Sequence, residues 1–221
     1  MAGAQIRAAH RRLYRRLPRC GAAAGGSRCL SRHPCDGTGV KLYLVRHPPP
    51  DVEAGICYGV TDLSLAPGAA DATLAAVRER LPAGLPLFSS PLRRCSEFAT
   101  QLAPAVAATR LELDVRLAEM HFGAWEMRRW NDIPRSEIDA WAANPCEFQP
   151  PDGESVLAMT QRVRAFLNDR RARNESAVVV CHAGSIRLLL ACMQNASDRD
   201  AAIAVTRERL AIPYGSLTVL G

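Results

Sequence analysis

The chain lacks long apolar runs and paired cysteines, and these absences narrow the classes of protein to which it can belong. No apolar run approaches the roughly 20 residues of a membrane span, and none is placed to form the core of a secretory signal. The eight cysteines include no Cys-x-x-Cys pair, so neither a zinc site nor a redox couple is indicated. We therefore expect a cytoplasmic protein with reduced thiols and no membrane partner.

Excess positive charge is absent from most of the chain, although the total is +6. Residues 1–39 hold eight arginines and one acid, a charge of +7, which leaves −1 for residues 40–221. A near-neutral domain lacks the basic face that binds a phosphate backbone, so no nucleic-acid partner is expected. We predict a basic, disordered extension over residues 1–39 and one globular domain over residues 40–221. The extension resembles a transit peptide, but we favour an extended translation start.

Several segments of the chain have the spacing of strands or helices. Apolar runs predict buried strands over residues 40–45, 85–88 and 177–181, and closing strands over residues 210–212 and 216–220. Helical spacing predicts helices over residues 69–81, from near Pro91 onward, over 155–171 and over 186–193. The alternation indicates an α/β fold in three layers, α/β/α, with a mostly parallel central sheet.

Polar residues follow three of the predicted strands directly. They are Arg46 and His47 after the first, the Ser89-Ser90-Pro91 segment leading to Arg94 after the second, and His182 after the third. Ligands bind beyond the carboxyl ends of the strands in such sheets, so these side chains are expected to meet.

This set of residue types indicates phosphoryl transfer. A neutral histidine nitrogen can attack phosphorus if fixed cations neutralise the phosphoryl oxygens. Guanidinium groups present paired donors and stay charged, so Arg46 and Arg94 can take the role of metal ions. The leaving oxygen needs a proton from a carboxylic acid, and Glu119 and Glu126 are both candidates.

Four motifs, in this order, resemble the histidine phosphatase superfamily. They are Leu44-Val45-Arg46-His47, Ser89-Ser90-Pro91-Leu92-Arg93-Arg94, the segment from Glu119 to Glu126, and Cys181-His182-Ala183-Gly184. The resemblance implies a phosphoglycerate mutase-like fold, with no cofactor and no metal. It implies that His47 is the phosphorylated nucleophile and Glu119 the proton donor, and that Arg46, Arg94 and protonated His182 bind the phosphate.

Three further segments resemble the α-ribazole phosphatases, which act in assembly of the cobalamin nucleotide loop. They are Cys57-Tyr58-Gly59-Val60-Thr61-Asp62, Phe122-Gly-Ala-Trp-Glu126 with Trp130-Asn-Asp-Ile133, and Pro151-Asp-Gly-Glu-Ser155. This resemblance implies a small phosphate monoester as substrate, α-ribazole 5′-phosphate or adenosylcobalamin 5′-phosphate. One alternative is a histidine phosphatase or mutase acting on another small monoester. A second is a non-catalytic protein that binds a phosphate ligand.

Three positions depart from the family pattern. Pro48 stands in place of the glycine after the nucleophile and lacks an N–H donor. Glu53 stands in place of an asparagine, and its charge would repel a dianion, so we expect the side chain to point away from the phosphate or its loop to take another course. Met127 stands in place of a glycine and is expected to alter a turn beside the site.

Two competing interpretations concern the cysteine and tryptophan side chains. Cys181 and Arg187 have the C-x5-R spacing of cysteine-dependent phosphatases, in which a thiolate attacks phosphorus. That mechanism leaves Arg46 and His47 unexplained, so we favour the histidine. Three tryptophans could line a substrate pocket, but we favour core positions for them: Trp125, Trp130 and Trp141.

Overall fold

A computed structural model describes residues 39–207 and 210–221, and in these ranges five strands form one sheet. The strands are β1 (Leu42–Arg46), β2 (Leu87–Ser89), β3 (Leu111–Leu113), β4 (Ala177–Cys181) and β5 (Leu217–Leu220). Their order is β3-β2-β4-β1-β5, and only β5 pairs antiparallel to its neighbour. The mostly parallel sheet confirms the predicted fold class. The predicted extension lies outside the described residues, except for Gly39.

Six α-helices accompany the sheet within the described part of the chain. They are α1 (Ala69–Val77), α2 (Arg93–Ala105), α3 (Arg135–Ala143), α4 (Val156–Ala172), α5 (Ala183–Gln194) and α6 (Asp198–Arg207). Successive strand residues point to opposite faces of a sheet, and the two faces are covered by different helices. Leu44 and Val179 pack with α4, α5 and α6, whereas Val45, Val178 and Val180 pack with α1 and α2. The helices therefore form the two outer layers.

The predicted helix starting near Pro91 begins two residues later, at Arg93. The hydroxyl of Ser90 accepts a hydrogen bond from the backbone N–H of Leu92 at 3.3 Å, which makes a turn before the helix. Because of this turn, Arg93 and Arg94 occupy the first two positions of α2.

The predicted strand over residues 210–212 is wrong, since this segment has no strand pairing. Two of its backbone carbonyls accept hydrogen bonds from arginine side chains instead. Ile212 O accepts from Arg46 Nη1 at 2.5 Å, and Leu210 O accepts from Arg187 Nε at 2.7 Å. The segment is thus a loop tied to β1 and α5.

The predicted core position is confirmed for Trp125, and Trp130 and Trp141 pack beside it as partly buried rings. Trp125 is fully buried, and its indole N–H donates to Glu137 Oε2 at 2.5 Å. Trp130 and Trp141 are partly buried and stack with ring centroids 5.9 Å apart. The five cysteines of the described ranges are buried and free of disulfides. None of the helices described here is long and apolar enough to cross a bilayer.

Candidate active site

His47 directly follows β1, and its imidazole is almost fully buried. Its backbone N–H donates to Cys181 O at 3.0 Å, which places it beside the end of β4. Its Nδ1 lies 2.6 Å from Pro48 O. A carbonyl can only accept, so Nδ1 carries the proton and Nε2 keeps its lone pair. Burial, with the charges of Arg94 and Arg46, lowers the pKa of His47 to about 3, so the imidazole is neutral near pH 7.

His182 directly precedes the first turn of α5 and is fully buried beside His47. The two ring centroids are 5.0 Å apart, and His182 Nε2 lies 2.8 Å from Ser90 Oγ. Burial, followed by the charges of His47 and Arg94, lowers the pKa of His182 well below its usual range. The protein groups around His182 therefore favour its neutral form. The expected protonated form needs the negative charge of a bound phosphate.

Arg46 is the last residue of β1 and is held from two sides. Its Nη1 donates to Ile212 O at 2.5 Å, and its guanidinium carbon lies 3.6 Å from the centre of the Tyr214 ring. Its Nε is buried and has no acceptor among the described residues. A buried N–H of this kind is suited to an anionic ligand.

Arg94, in the first turn of α2, is fully buried. Its Nη1 donates to Thr61 O at 2.8 Å and its Nη2 to Gly59 O at 2.5 Å. Its Nε, like that of Arg46, is buried without an acceptor in the described ranges. The charges of both arginines act on both histidines, so the four predicted residues lie together. No cluster of His, Cys, Asp and Glu in residues 39–207 and 210–221 is arranged to hold a metal ion.

Glu119 places its carboxylate against the first turn of α5, at Gly184, which is two residues after His182. Its Oε2 accepts from Gly184 N at 3.1 Å, and its Oε1 accepts from Met120 N at 3.0 Å. A Cβ on Gly184 would lie only 2.1 Å from Glu119 Oε1, so glycine is what admits the carboxylate there. The predicted proton donor thus sits at the helix end that also carries His182.

Glu126, the competing candidate, has its carboxylate fully engaged. It accepts from the backbone N–H groups of Val60 (3.0 Å), Thr61 (2.6 Å) and Phe122 (3.0 Å), and from the Thr61 hydroxyl. Burial alone would raise the pKa of Glu126, but these hydrogen bonds outweigh it and lower the pKa. Glu126 is therefore an ionised group that joins two loops, which leaves Glu119 as the better placed acid.

Arg162 on α4 supports the backbone that carries Glu119, and sequence reasoning did not identify it. It donates to the carbonyls of Arg116 (2.9 Å), Ala118 (2.7 Å) and Glu119 (3.0 Å). It also pairs with Glu154 at 2.6 Å. These acceptors lie far from Arg162 in sequence, except for Glu154, so the sequence carries no clear signal of the contact.

The three departures from the family pattern are accommodated without blocking the site. Glu53 forms an exposed ion pair with Arg129 at 2.5 Å, which confirms that it points away. Pro48 lacks an N–H, but its carbonyl accepts from His47, a role that any residue can fill. Met127 adopts a backbone φ of 62°, so the turn keeps the left-handed conformation that glycine adopts without strain.

Cys181 does not have the environment of a nucleophilic thiol. It is fully buried at the end of β4, and burial, with the charge of Glu119, raises the pKa of its thiol far above the usual range. Arg187, the second residue of the C-x5-R spacing, donates from Nε to Leu210 O. The structure therefore disfavours the cysteine-dependent mechanism.

Comparison with known proteins agrees with the geometry of the site. The family model described as "Histidine phosphatase superfamily (branch 1)" matches residues 42–220. Phosphoserine phosphatase 1 of Hydrogenobacter thermophilus is 30% identical over 160 residues, 68% of this chain and 74% of the relative. The adenosylcobalamin/α-ribazole phosphatase of Salmonella typhimurium is 35% identical over 80 residues, 34% of this chain and 40% of the relative. The native structure of mycobacterial glucosyl-3-phosphoglycerate phosphatase superposes with a TM-score of 0.62 at 25% identity, covering 74% and 84% of the two chains.

Proposed function

Because the chain belongs to the histidine phosphatase superfamily and is a phosphatase, we propose that it hydrolyses α-ribazole 5′-phosphate or adenosylcobalamin 5′-phosphate through a phosphohistidine on His47. The observation that carries this proposal is the grouping of two neutral histidines with two arginines whose Nε–H groups have no acceptor among the described residues. Such a site offers a nucleophile and fixed positive charge for one phosphoryl group.

In the first step, His47 Nε2 attacks phosphorus in line with the ester oxygen. The new N–P bond forms as the P–O bond to the leaving group breaks. Arg46 and Arg94 donate to the phosphoryl oxygens, and His182 adds a third donor from the side of Ser90. Glu119 gives its proton to the leaving oxygen.

In the second step, water attacks the phosphohistidine. Glu119, now a carboxylate, takes a proton from that water, and the N–P bond breaks to release inorganic phosphate. His47 returns to the neutral form with its proton on Nδ1, held by Pro48 O. The same carboxyl therefore acts as acid and then as base.

The choice of substrate rests on the segments that resemble α-ribazole phosphatases. The first of them, residues 57–62, accepts two hydrogen bonds from the Arg94 side chain through its backbone carbonyls. Phosphoserine is a second candidate. A relative named phosphoserine phosphatase aligns over 68% of the chain, whereas the Salmonella α-ribazole relative aligns over 34%.

The test is a comparison of kcat/KM for phosphate release from four monoesters: α-ribazole 5′-phosphate, phosphoserine, 3-phosphoglycerate and 4-nitrophenyl phosphate. His47→Ala and Cys181→Ser are measured beside the wild type. We expect a clear preference for α-ribazole 5′-phosphate that is lost in His47→Ala and retained in Cys181→Ser. A preference for phosphoserine would show that the proposed substrate is wrong and would leave the proposed mechanism in place. Conversion of 3-phosphoglycerate to its 2-isomer would indicate a mutase.

A non-catalytic binding protein would give a different result. Phosphate esters would then raise the thermal unfolding temperature, yet no release of phosphate would depend on His47. Alkaline quenching during turnover offers a second check, because the N–P bond of phosphohistidine survives base and is hydrolysed in acid. Labelled phosphate should stay on the wild type after an alkaline quench, be lost on acidification, and be absent from His47→Ala.

A further inference from the structure

Two tyrosines with no role in the proposed reaction join separate segments of the chain at the site. Tyr58 belongs to residues 57–62, and Tyr214 belongs to the loop before β5. Their hydroxyl oxygens are 2.5 Å apart, although the residues are 156 positions apart in sequence. Tyr214 is 41% exposed, so the contact lies where the site opens to solvent.

Each tyrosine ring lies over one of the two arginines. The guanidinium carbon of Arg46 is 3.6 Å from the centre of the Tyr214 ring, which is direct face contact. The corresponding distance from Arg94 to Tyr58 is 5.4 Å, within the range of a cation–π interaction. The Tyr214 ring is also 5.5 Å from that of His47. The ring that orients Arg46 is therefore a neighbour of the nucleophile.

The loop that carries Tyr214 is fastened to the end of β1 by main-chain hydrogen bonds. Gly215 N donates to Arg46 O at 3.1 Å and to His47 O at 3.3 Å, while Arg46 N donates to Ser216 O at 3.0 Å. The same loop accepts from the Arg46 side chain through Ile212 O. The Tyr214 ring is thus held against Arg46 by the backbone on both sides of it.

We propose that Tyr214 is a positioning residue for Arg46, and that the Tyr58–Tyr214 hydrogen bond couples the loop behind Arg46 to the loop behind Arg94. The ring limits the guanidinium to the direction in which its buried Nε–H meets a phosphoryl oxygen. The proposal rests on the proposed function only in taking a phosphoryl group as the ligand.

The test measures inorganic phosphate binding by calorimetry, together with kcat and KM for 4-nitrophenyl phosphate, on the full chain. The variants are Tyr214→Leu, Tyr214→Phe, Tyr58→Phe and the double Phe variant. Tyr214→Leu removes the ring. We expect the Kd for phosphate and the KM to rise by roughly tenfold, with a smaller change in kcat. Tyr214→Phe keeps the ring, and we expect a loss of about threefold or less.

The double variant tests the coupling. Either single Phe substitution breaks the same hydroxyl contact, so the double variant should be no weaker than the weaker single variant. Tyr43→Phe, on β1 and packed in the core, is the matched control for loss of a phenol hydroxyl and should bind phosphate like the wild type. Circular dichroism checks that each variant is folded.

Three results would overturn the proposal: Tyr214→Leu binding phosphate as tightly as the wild type, Tyr214→Phe as weak as Tyr214→Leu, or additive losses in the double variant. Failure of the proposed function is distinct, since it appears as phosphate release that does not depend on His47. The calorimetric measurement reports on Tyr214 even in that case.

Discussion

The centre of the site and its rim are held in place by different kinds of interaction. The centre consists of His47, Arg94 and His182, which follow strands of the sheet, and the register Arg46↔Cys181 sets the two histidine-bearing ends side by side. The rim consists of residues 57–62, 119–126 and 210–216. Its segments are joined to each other and to the sheet by a few side chains that each make several hydrogen bonds.

This difference separates chemistry from support, except at Glu119, which lies in the rim and acts in the proposed reaction. A centre residue acts on the phosphate, so its replacement should reduce turnover more than stability. A residue that holds the rim in place, such as Glu126 within it or Arg162 on α4, satisfies several partly buried backbone groups. Its loss leaves these groups unpaired, at a cost of about 1–3 kcal/mol. Arg94 belongs to both classes, because its Nη groups hold the carbonyls of residues 57–62 while its Nε is free for a ligand.

Replacement of Arg94 should give the largest effect. We expect Arg94→Ala to lower kcat/KM at least about a thousandfold and to destabilise the fold by roughly 3 kcal/mol, since charge and two hydrogen bonds are lost together. Arg93→Ala is the matched control, because Arg93 is an exposed neighbour whose side chain pairs with Glu97. Steady-state kinetics and urea unfolding should show near wild-type behaviour for the control. Equal losses in both variants would remove the distinction between centre and surface.

The two carboxylates of the 119–126 segment give a second test of the difference between a residue that acts in the reaction and one that supports the fold. We expect Glu119→Gln to lower kcat about a hundredfold for alkyl esters, with little loss of stability, because it removes a proton donor. The loss should be smaller for 4-nitrophenyl phosphate, whose leaving group needs less protonation.

The matched variant Glu126→Gln should lower the free energy of unfolding by roughly 2 kcal/mol and affect kcat less, because an ionised acceptor of four hydrogen bonds is lost. Kinetics and urea unfolding of both variants decide the assignment. The reverse pattern, with turnover lost in Glu126→Gln alone, would make Glu126 the acid.

The contrast also explains which features the sequence could predict. A short apolar run followed by Arg46-His47 or His182 predicts a strand and a ligand-binding end, because both follow from local pattern and from the rules of parallel sheets. The rim depends on contacts between distant segments. The interpretation of residues 210–212 as a strand failed because arginine side chains, not a neighbouring strand, take up its carbonyls. Neither Arg162 nor the Tyr58–Tyr214 contact has a local signature.

The buried histidine of the centre should make stability depend on pH. The pKa of His47 is about 3 in the folded protein and near 6.5 when exposed, so the unfolded chain binds more protons between these values. The free energy of unfolding contributed by this group is therefore complete above pH 6.5 and falls on acidification through that window.

Between pH 7 and pH 5, we expect wild type to lose roughly 2 kcal/mol more than His47→Asn, measured by urea unfolding. The pKa of Glu126 lies below its usual 4.5, so this group changes the free energy of unfolding only at lower pH and does not affect the comparison. Parallel stability curves for the two proteins would show that His47 is not held neutral by the fold.

The smallest expected effect concerns backbone strain at Met127, the residue that follows the 119–126 segment of the rim. Met127 has a φ of 62° and a half-exposed side chain, and its backbone N–H donates to Cys57 O at 2.8 Å. A non-glycine residue in this left-handed conformation destabilises the fold by about 1 kcal/mol. Glycine removes this strain, but it also makes the unfolded chain more flexible, which offsets part of the gain in stability. We expect Met127→Gly to be more stable than Met127→Ala by about 0.5 kcal/mol, or roughly 1–2 °C in Tm, with kcat unchanged. Because the alanine variant removes the side chain but keeps the strain, a glycine variant less stable than alanine would mean that the rim holds this turn without strain.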